Sequence, residues 1–244
     1  CFGGPGRDFV SSEQGLVVKW GDQEPKKLWQ AKIGAGYSSI VVGGGLAYAV
    51  GHESSKNAVR CLDAKTGALI WKYEYSCGKG AKYFDGGSRG TPALDDGVLF
   101  SLSHEGALFA FDAKTGRVKW ARHLLKDFEG RRPTWGFSGC PLVAGNLLIV
   151  ESGSTKGSLV ALDKKTGKTL WRRDVPKVPL EEVHQANGHA TPTPWVDEDR
   201  VFVFFGSYGL ICYDHDGKEI WKKPIPACRS LYGTSTSPIG YENL

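Results

Sequence analysis

The sequence contains no methionine, no CxxC pair among its six cysteines and no long apolar run. A membrane-spanning helix needs about 18 or more consecutive apolar residues, so none is predicted. The missing CxxC pairs argue against a zinc ribbon or a thioredoxin-type site. The six histidines show neither HExxH nor another paired ligand spacing, so no metal site is predicted. The net charge is only +5 without a basic cluster, so nucleic acid is not an expected partner.

What the sequence does contain is a repeat. Four segments share an Asp, a short turn, a Gly and then a Trp, and their tryptophans are 49, 51 and 50 residues apart. The segments are Cys61–Trp71, Phe111–Trp120, Leu162–Trp171 and Tyr213–Trp221. Turn residues divide each unit into four short strands, as Asp95-Asp96-Gly97 does in the second unit. Four strands in about 40–50 residues indicate one blade of a β-propeller.

The shared residues of the repeat have structural explanations. An Asp at the start of a turn accepts backbone hydrogen bonds, and Gly supplies a positive φ. A Trp on the outermost strand can fill the gap between wedge-shaped blades. We therefore assign a structural role to Asp63, Gly67, Trp71, Asp112, Gly116, Trp120, Asp163, Gly167, Trp171, Asp214, Gly217 and Trp221.

The third unit carries the pattern A-x-D-x-x-T-G-x-x-x-W in full, from Ala161 to Trp171. This pattern resembles the tryptophan-docking motif of the PQQ-like (pyrroloquinoline quinone repeat) β-propeller superfamily. The superfamily includes PQQ-dependent alcohol dehydrogenases and non-catalytic propellers such as the outer-membrane-assembly lipoprotein. The resemblance implies an all-β propeller of four-stranded antiparallel blades, and members usually have about eight of them.

The repeat predicts a single partial propeller domain over residues 1–244. Blades are predicted at about 37–75, 88–124, 136–175 and 189–225, with partial blades at 1–36 and 233–244. Trp29 is expected on the outer strand of a blade whose inner strands lie outside this chain, and Gly233–Ile239 on the first strand of a fifth blade. The chain is therefore expected to be a fragment of a longer protein, because raw sheet edges are normally avoided.

The connections from each outer strand to the next inner strand emerge on one face of a propeller, where binding residues concentrate. These connections combine Arg, His and aromatic side chains, of which Arg and aromatics are enriched in binding hot spots. The predicted binding-face residues are Tyr83, Arg89, Arg131, Arg132, Trp135, His184, His189, Arg229 and Tyr232.

The cysteines sort by their position in the repeat. Cys61 and Cys212 occupy the slot of Ala110 and Ala161, which predicts small buried residues. Cys140 occupies a small-residue slot before a proline. Cys77 and Cys228 fall on the same face, and a disulfide between them stays open. Cys1 is either a lipidated N-terminal cysteine or a fragment boundary.

The favoured function is a non-catalytic, extracytoplasmic scaffold, periplasmic or secreted, that binds a protein or another ligand through one loop face. No catalytic residue, cofactor or metal is predicted for it, and a membrane tether in preceding sequence stays open.

The first alternative is a PQQ- and calcium-dependent alcohol or polyol dehydrogenase. The resemblance implies that such an enzyme carries an adjacent Cys-Cys pair, a calcium site of Glu, Asn and Asp, and a catalytic Asp. No Cys-Cys pair occurs, and the acidic runs Asp95-Asp96 and Asp197-Glu198-Asp199 are expected in hairpin turns. The second alternative is the sensor propeller of a larger protein.

Overall fold

The strands of this chain form four separate antiparallel sheets of four strands each within the described residues. The structure is a computed structural model, and it describes residues 10, 13–15, 17, 19, 21, 25–80, 85–154, 156, 158–182, 184, 193–226, 233–234 and 237–240. In each sheet the strand order follows the chain order, so every neighbouring pair is a hairpin. Each sheet is one blade, as the repeat predicted.

The blades have these strands. Blade 1 consists of β1 (Val41–Gly43), β2 (Leu46–Glu53), β3 (Lys56–Asp63) and β4 (Leu69–Ser76). Blade 2 consists of β5 (Ala93–Asp95), β6 (Val98–Leu102), β7 (Ala107–Asp112) and β8 (Val118–His123), followed by the short helix α1 (Leu124–Asp127). Blade 3 consists of β9 (Leu142–Ala144), β10 (Leu147–Glu151), β11 (Leu159–Asp163) and β12 (Thr169–Arg173). Blade 4 consists of β13 (Trp195–Val196), β14 (Arg200–Phe205), β15 (Gly209–Asp214) and β16 (Glu219–Pro224).

Hydrophobic cores lie between neighbouring blades. Successive side chains of a strand point to opposite faces of its sheet. Leu148 of β10 therefore packs in the core between blades 2 and 3, while the next residue, Ile149, packs in the core between blades 3 and 4. A third core joins Tyr48 of blade 1 to Phe111 of blade 2. Each middle blade is thus buried on both faces, which holds the blades in a fixed order.

The two ends of each blade define two faces of the molecule. The connection face carries the described parts of the blade-to-blade connections, together with the β2–β3 and β6–β7 turns. These parts are residues 77–80, 85–92, 124–141, 174–182, 184 and 193–194. The turn face carries the repeat turns 63–67, 112–116, 163–167 and 214–217. On the turn face the predicted hairpin between β5 and β6 is present, with Asp96 at φ 45° and Gly97 at φ 70°. Both positive φ values fit a tight hairpin turn.

Two expected strands are not found in the described residues. Residues 25–34, around Trp29, form no strand, since no partner strand lies beside them in the described part of the chain. Residues 233–234 and 237–240 are also outside any strand. The Ser237 hydroxyl accepts a hydrogen bond from the Thr193 backbone N–H at 2.9 Å, and a fifth blade at this position stays a prediction. The Thr91 hydroxyl accepts the same kind of bond from the Ser39 N–H at 3.1 Å.

Among the described residues, no helix is both long and apolar enough to cross a membrane.

Candidate functional site

Each docked tryptophan ties its blade to the repeat turn of the next unit. Trp71 Nε1 donates a hydrogen bond to the Ala113 carbonyl at 2.9 Å, while its ring lies over Gly116. The same pairing recurs along the chain, including the tryptophan before blade 1. The pairs are Trp29 with Ala64 and Gly67, Trp120 with Lys164 and Gly167, and Trp171 with His215 and Gly217. In these units each tryptophan thus lies between its own unit and the repeat turn of the next one.

Glycine is required in the repeat turn for a second reason besides its positive φ. Gly116 has φ 73°, as expected, but a Cβ atom there would also lie 2.6 Å from the Trp71 ring. Only glycine leaves room for the incoming indole. Trp221 differs from the docked tryptophans, since it is 37% exposed while Trp71 is 9% exposed. It packs against Phe202, and no described turn receives its indole.

The turn aspartates act as predicted. Asp112 Oδ1 accepts hydrogen bonds from the Thr115 backbone N–H at 2.9 Å and from its hydroxyl at 2.8 Å. The Thr115 hydroxyl is the main reason that the pKa of Asp112 lies below its ordinary value. Asp63 and Asp163 share this arrangement and its lowered pKa. The Asp214 carboxylate accepts one hydrogen bond, from the Lys218 backbone N–H at 2.7 Å, because its shorter turn lacks the threonine.

On the connection face, two predicted binding residues meet across different connections. The guanidinium of Arg89 lies 6.0 Å from the centroid of the Trp135 ring. Arg89 also donates a hydrogen bond to the Gly80 carbonyl at 2.8 Å. Arg132 is exposed and lies 3.8 Å from the Glu105 carboxylate. Burial, and to a smaller extent Arg132, lower the pKa of Arg89, while the neighbouring Tyr37 opposes that shift.

The other predicted binding residues are distributed as follows. Arg131 is exposed beside Arg132, and its backbone N–H donates to the Ser152 carbonyl at 3.0 Å. His184 is half-buried in the connection between blades 3 and 4. Four residues lie outside the described part of the chain, namely Tyr83, His189, Arg229 and Tyr232. The structure therefore brings together Arg89, Trp135 and Arg132, and their association with the other predicted residues stays a prediction.

Next to Arg89 the structure assembles a group that the sequence analysis missed. Cys77 follows β4, while His104 and Glu105 form the β6–β7 turn of the next blade. One ligand atom from each residue lies within 4.8 Å of the other two. The Cys77 Sγ is 3.9 Å from His104 Nδ1. The spacing of these residues along the sequence does not indicate a metal site. The available signal was their position, since Cys77 was expected on the connection face and the β6–β7 turn lies on the same face.

The electrostatics of this group follow from its burial. Burial first, and then the charge of Glu105, raise the pKa of the Cys77 thiol to about 12. Burial lowers the pKa of His104, and the positive charge of Arg89 acts in the same direction. At neutral pH the thiol is therefore protonated and the imidazole is neutral. Glu105 supplies the negative charge of the group.

A buried polar chain supports the same corner of blade 1. His52 Nδ1 lies 3.1 Å from Asn57 Oδ1, and Asn57 Nδ2 donates to the Tyr75 hydroxyl at 3.3 Å. Burial raises the pKa of Tyr75. Asn57 is completely buried, so its hydrogen bonds avoid the cost of an unsatisfied polar group.

The described cysteines are free thiols, and their placement follows the repeat. Cys61 and Cys212 are completely buried, as are Ala110 and Ala161 in the equivalent slots. Cys140 is also free, and burial raises its thiol pKa. Cys77 packs against His104 as a free thiol. Cys1 and Cys228 lie outside the described residues.

The calcium ion of the alternative enzyme requires a set of hard oxygen ligands. In the described residues, the group of three ligand side chains is Cys77, His104 and Glu105, which offers sulfur and nitrogen with one carboxylate. The predicted acidic runs lie in hairpin turns on the turn face, away from the connections. The described donor set does not fit calcium, and no catalytic step is derived from it.

Comparison with known proteins gives two groups of relatives. The family model described as outer membrane protein assembly factor BamB matches residues 3–73 and 55–232. The outer membrane protein assembly factor BamB of Burkholderia pseudomallei is 27% identical over 237 residues, which cover 95% of this chain and 57% of that protein. The quinohemoprotein alcohol dehydrogenase ADH-IIG of Pseudomonas putida is 29% identical over 181 residues, covering 68% of this chain and 24% of that enzyme. This chain thus spans little more than half the length of the first relative.

Solved structures share the fold. BamB from Moraxella catarrhalis superimposes with a TM-score of 0.55 at 18% identity, covering 82% of this chain and 55% of that one. A europium-containing methanol dehydrogenase gives a TM-score of 0.57 at 20% identity, covering 79% of this chain and 42% of that one. Both likenesses establish the propeller architecture.

Proposed function

Because this chain belongs to the family described as outer membrane protein assembly factor BamB, within the PQQ-like β-propeller superfamily, we propose that it is a non-catalytic scaffold that binds a protein through its connection face. The site of contact is the Arg89, Arg132 and Trp135 surface, hereafter the Arg–Trp surface. We place the protein outside the cytoplasm, in keeping with its relatives that are named as outer membrane protein assembly factors.

The observation that carries this proposal is the Arg89–Trp135 pair. Arg89 comes from the connection between blades 1 and 2 and Trp135 from that between blades 2 and 3, so the pair needs the assembled propeller. A guanidinium next to an indole forms a compact surface with both charge and apolar area. Arg and Trp are the side chains that most often dominate protein interfaces.

The charges of the surface favour a partner segment that carries carboxylates. Arg131 and Arg132 are exposed next to Trp135, and Arg132 is held by a half-exposed Glu105 at 3.8 Å. An exposed ion pair of this kind contributes little stability, so Arg132 can exchange Glu105 for a carboxylate of the partner at small cost. Attraction between such charges weakens with salt, which gives the interaction a measurable signature.

The dehydrogenase alternative draws support from the quinone-dependent relatives. It would require hard oxygen ligands for calcium, and the described donor set is of a different kind. The sensor alternative depends on sequence beyond this chain. We therefore keep the scaffold as the proposed function.

Site-specific photo-cross-linking in the native host tests the proposal. A photoreactive amino acid at position 132 probes the connection face, and the same amino acid at position 165 probes the turn face. The proposal predicts a protein adduct at position 132, identified by mass spectrometry as a component or client of outer membrane protein assembly, and none at position 165. Adducts confined to position 165, or the absence of adducts at position 132, would overturn it.

A further inference from the structure

The group formed by Cys77, His104 and Glu105 has the composition of a transition-metal site. A thiol, an imidazole and a carboxylate are the three side-chain types that zinc binds in proteins. Their ligand atoms lie within 4.8 Å of one another, with Cys77 Sγ and His104 Nδ1 at 3.9 Å. The residues come from two neighbouring blades, so the group exists only in the folded propeller.

The distance between the Cys77 sulfur and His104 Nδ1 is close to that of a tetrahedral site. Zinc bound to sulfur at about 2.3 Å and to nitrogen at about 2.0–2.1 Å places the two ligand atoms about 3.6 Å apart. The Cys77–His104 pair therefore needs a contraction of a few tenths of an ångström. The Glu105 side chain is 36% exposed, so its carboxylate can move toward the other two ligand atoms.

An unsatisfied buried histidine is the second, independent observation. His104 is 1% exposed, and its Nε2 atom has no hydrogen-bond partner. Its Nδ1 atom faces the Cys77 sulfur at 3.9 Å, which is a weak hydrogen bond at best. Buried imidazoles are normally held by a strong partner, and leaving one without it costs stability. The imidazole therefore lacks a strong partner at either nitrogen, and Nδ1 is the nitrogen that faces Cys77 as a candidate metal ligand.

The backbone around the group is arranged to keep it compact. A Cβ atom at Gly80 would lie 2.7 Å from His104 Nε2, and one at Gly78 would lie 2.8 Å from Glu105 Oε1. Gly80, at φ 63°, is therefore limited to glycine if the segment after Cys77 is to pass this close to the His104 ring, whereas the Glu105 side chain could move away from a Cβ atom at position 78. Arg89 holds that segment through the Gly80 carbonyl at 2.8 Å.

We propose that Cys77, His104 and Glu105 form a binding site for a borderline transition-metal ion, for which zinc is the best match. Binding exchanges the thiol proton for the metal, and that proton leaves to solvent. Three protein ligands leave a fourth position for water or for another donor. The proposal does not depend on the proposed scaffold function, because it rests on the ligand geometry and on the unsatisfied His104 imidazole.

Metal titration of the purified chain tests this inference with Zn²⁺ and Co²⁺ as probes. We expect one equivalent of zinc to be retained after dialysis, and Co²⁺ to produce a thiolate-to-cobalt charge-transfer band that zinc abolishes. Replacement of a ligand should weaken binding more than the roughly 10–100-fold loss typical of outer contacts, so Cys77→Ser and His104→Gln should each cost at least about 100-fold.

The matched control is Cys140→Ser, which removes another free thiol, in the connection just before β9, and should leave both signals unchanged. Thermal unfolding without metal reports whether each variant folds. If His104→Gln does not fold, Glu105→Gln tests the same site from its exposed side. Failure of the wild type to retain zinc would overturn the proposal. So would a charge-transfer band that survives Cys77→Ser, or one that is lost in Cys140→Ser.

Discussion

The guanidinium of Arg89 lies 6.0 Å from the centre of the Trp135 ring, although the two residues belong to different blade connections. Their contact therefore depends on the angle between blades, which the docked tryptophans on the opposite face maintain. The docked tryptophans of the repeat therefore support the geometry of the surface that we propose for binding.

The first prediction concerns the glycine under a docked tryptophan. Gly116→Ala forces a methyl group to within 2.6 Å of the Trp71 ring, and it also places alanine at φ 73°. We expect a loss of about 2–4 kcal/mol in the free energy of unfolding, from backbone strain of about 1 kcal/mol and overpacking of about 1–3 kcal/mol. Chemical denaturation measures this loss.

The control for this substitution is Gly97→Ala. Gly97 has φ 70°, but a Cβ atom there would meet nothing within 4 Å. Only the backbone strain of about 1 kcal/mol should remain. Equal losses at the two positions would show that the indole does not require glycine beneath it.

The second prediction concerns the turn carboxylates. Thr115→Val removes the hydroxyl that donates to Asp112 at 2.8 Å, so the pKa of Asp112 should rise toward its ordinary value. A lowered native pKa stabilises the fold above the ordinary carboxyl pKa, and this contribution is lost as the pH falls through the native value. The variant should therefore lose less stability on acidification than the wild type. Carboxyl titration by NMR measures the pKa, and Thr66→Val should move Asp63 alone.

The third prediction concerns Glu151, at the end of β10. Burial raises its pKa to about 8, above the ordinary value for glutamate. The native state then holds a proton that the unfolded state releases, so this residue makes stability fall as the pH rises from about 4.5 to about 8. Glu151→Gln should remove that part of the decline. Denaturation midpoints at pH 5, 7 and 9 test this, and parallel curves for variant and wild type would contradict it.

The repeat predicted the fold closely because each of its residues acts within one turn or on the next one. Asp112, Gly116 and Trp71 are recognisable from local spacing, and the structure places them as expected. The strand expected around Trp29 stays a prediction, because its partner strands are expected outside this chain and a local pattern does not supply them. Gly116 was assigned to the turn for its φ value alone, since the indole above it comes from the preceding unit.

The candidate site was less predictable from the sequence. The connection face followed from topology, and Arg89, Arg132 and Trp135 do lie together on it. Cys77 was considered with Cys228, whereas its described neighbour is His104 on the adjacent blade. That contact depends on how two blades pack, which residue spacing along the chain does not encode.

The most direct test of the proposed function is the affinity of the partner captured at position 132 for the purified chain. Arg89→Ala combined with Arg132→Ala should weaken binding at least tenfold, or about 1.4 kcal/mol, and reduce its dependence on salt. Lys114→Ala combined with Lys165→Ala removes the same charge from exposed positions on the turn face and should leave the affinity unchanged. Equal affinity for wild type and the double arginine variant, or a loss confined to the double lysine variant, would contradict the account.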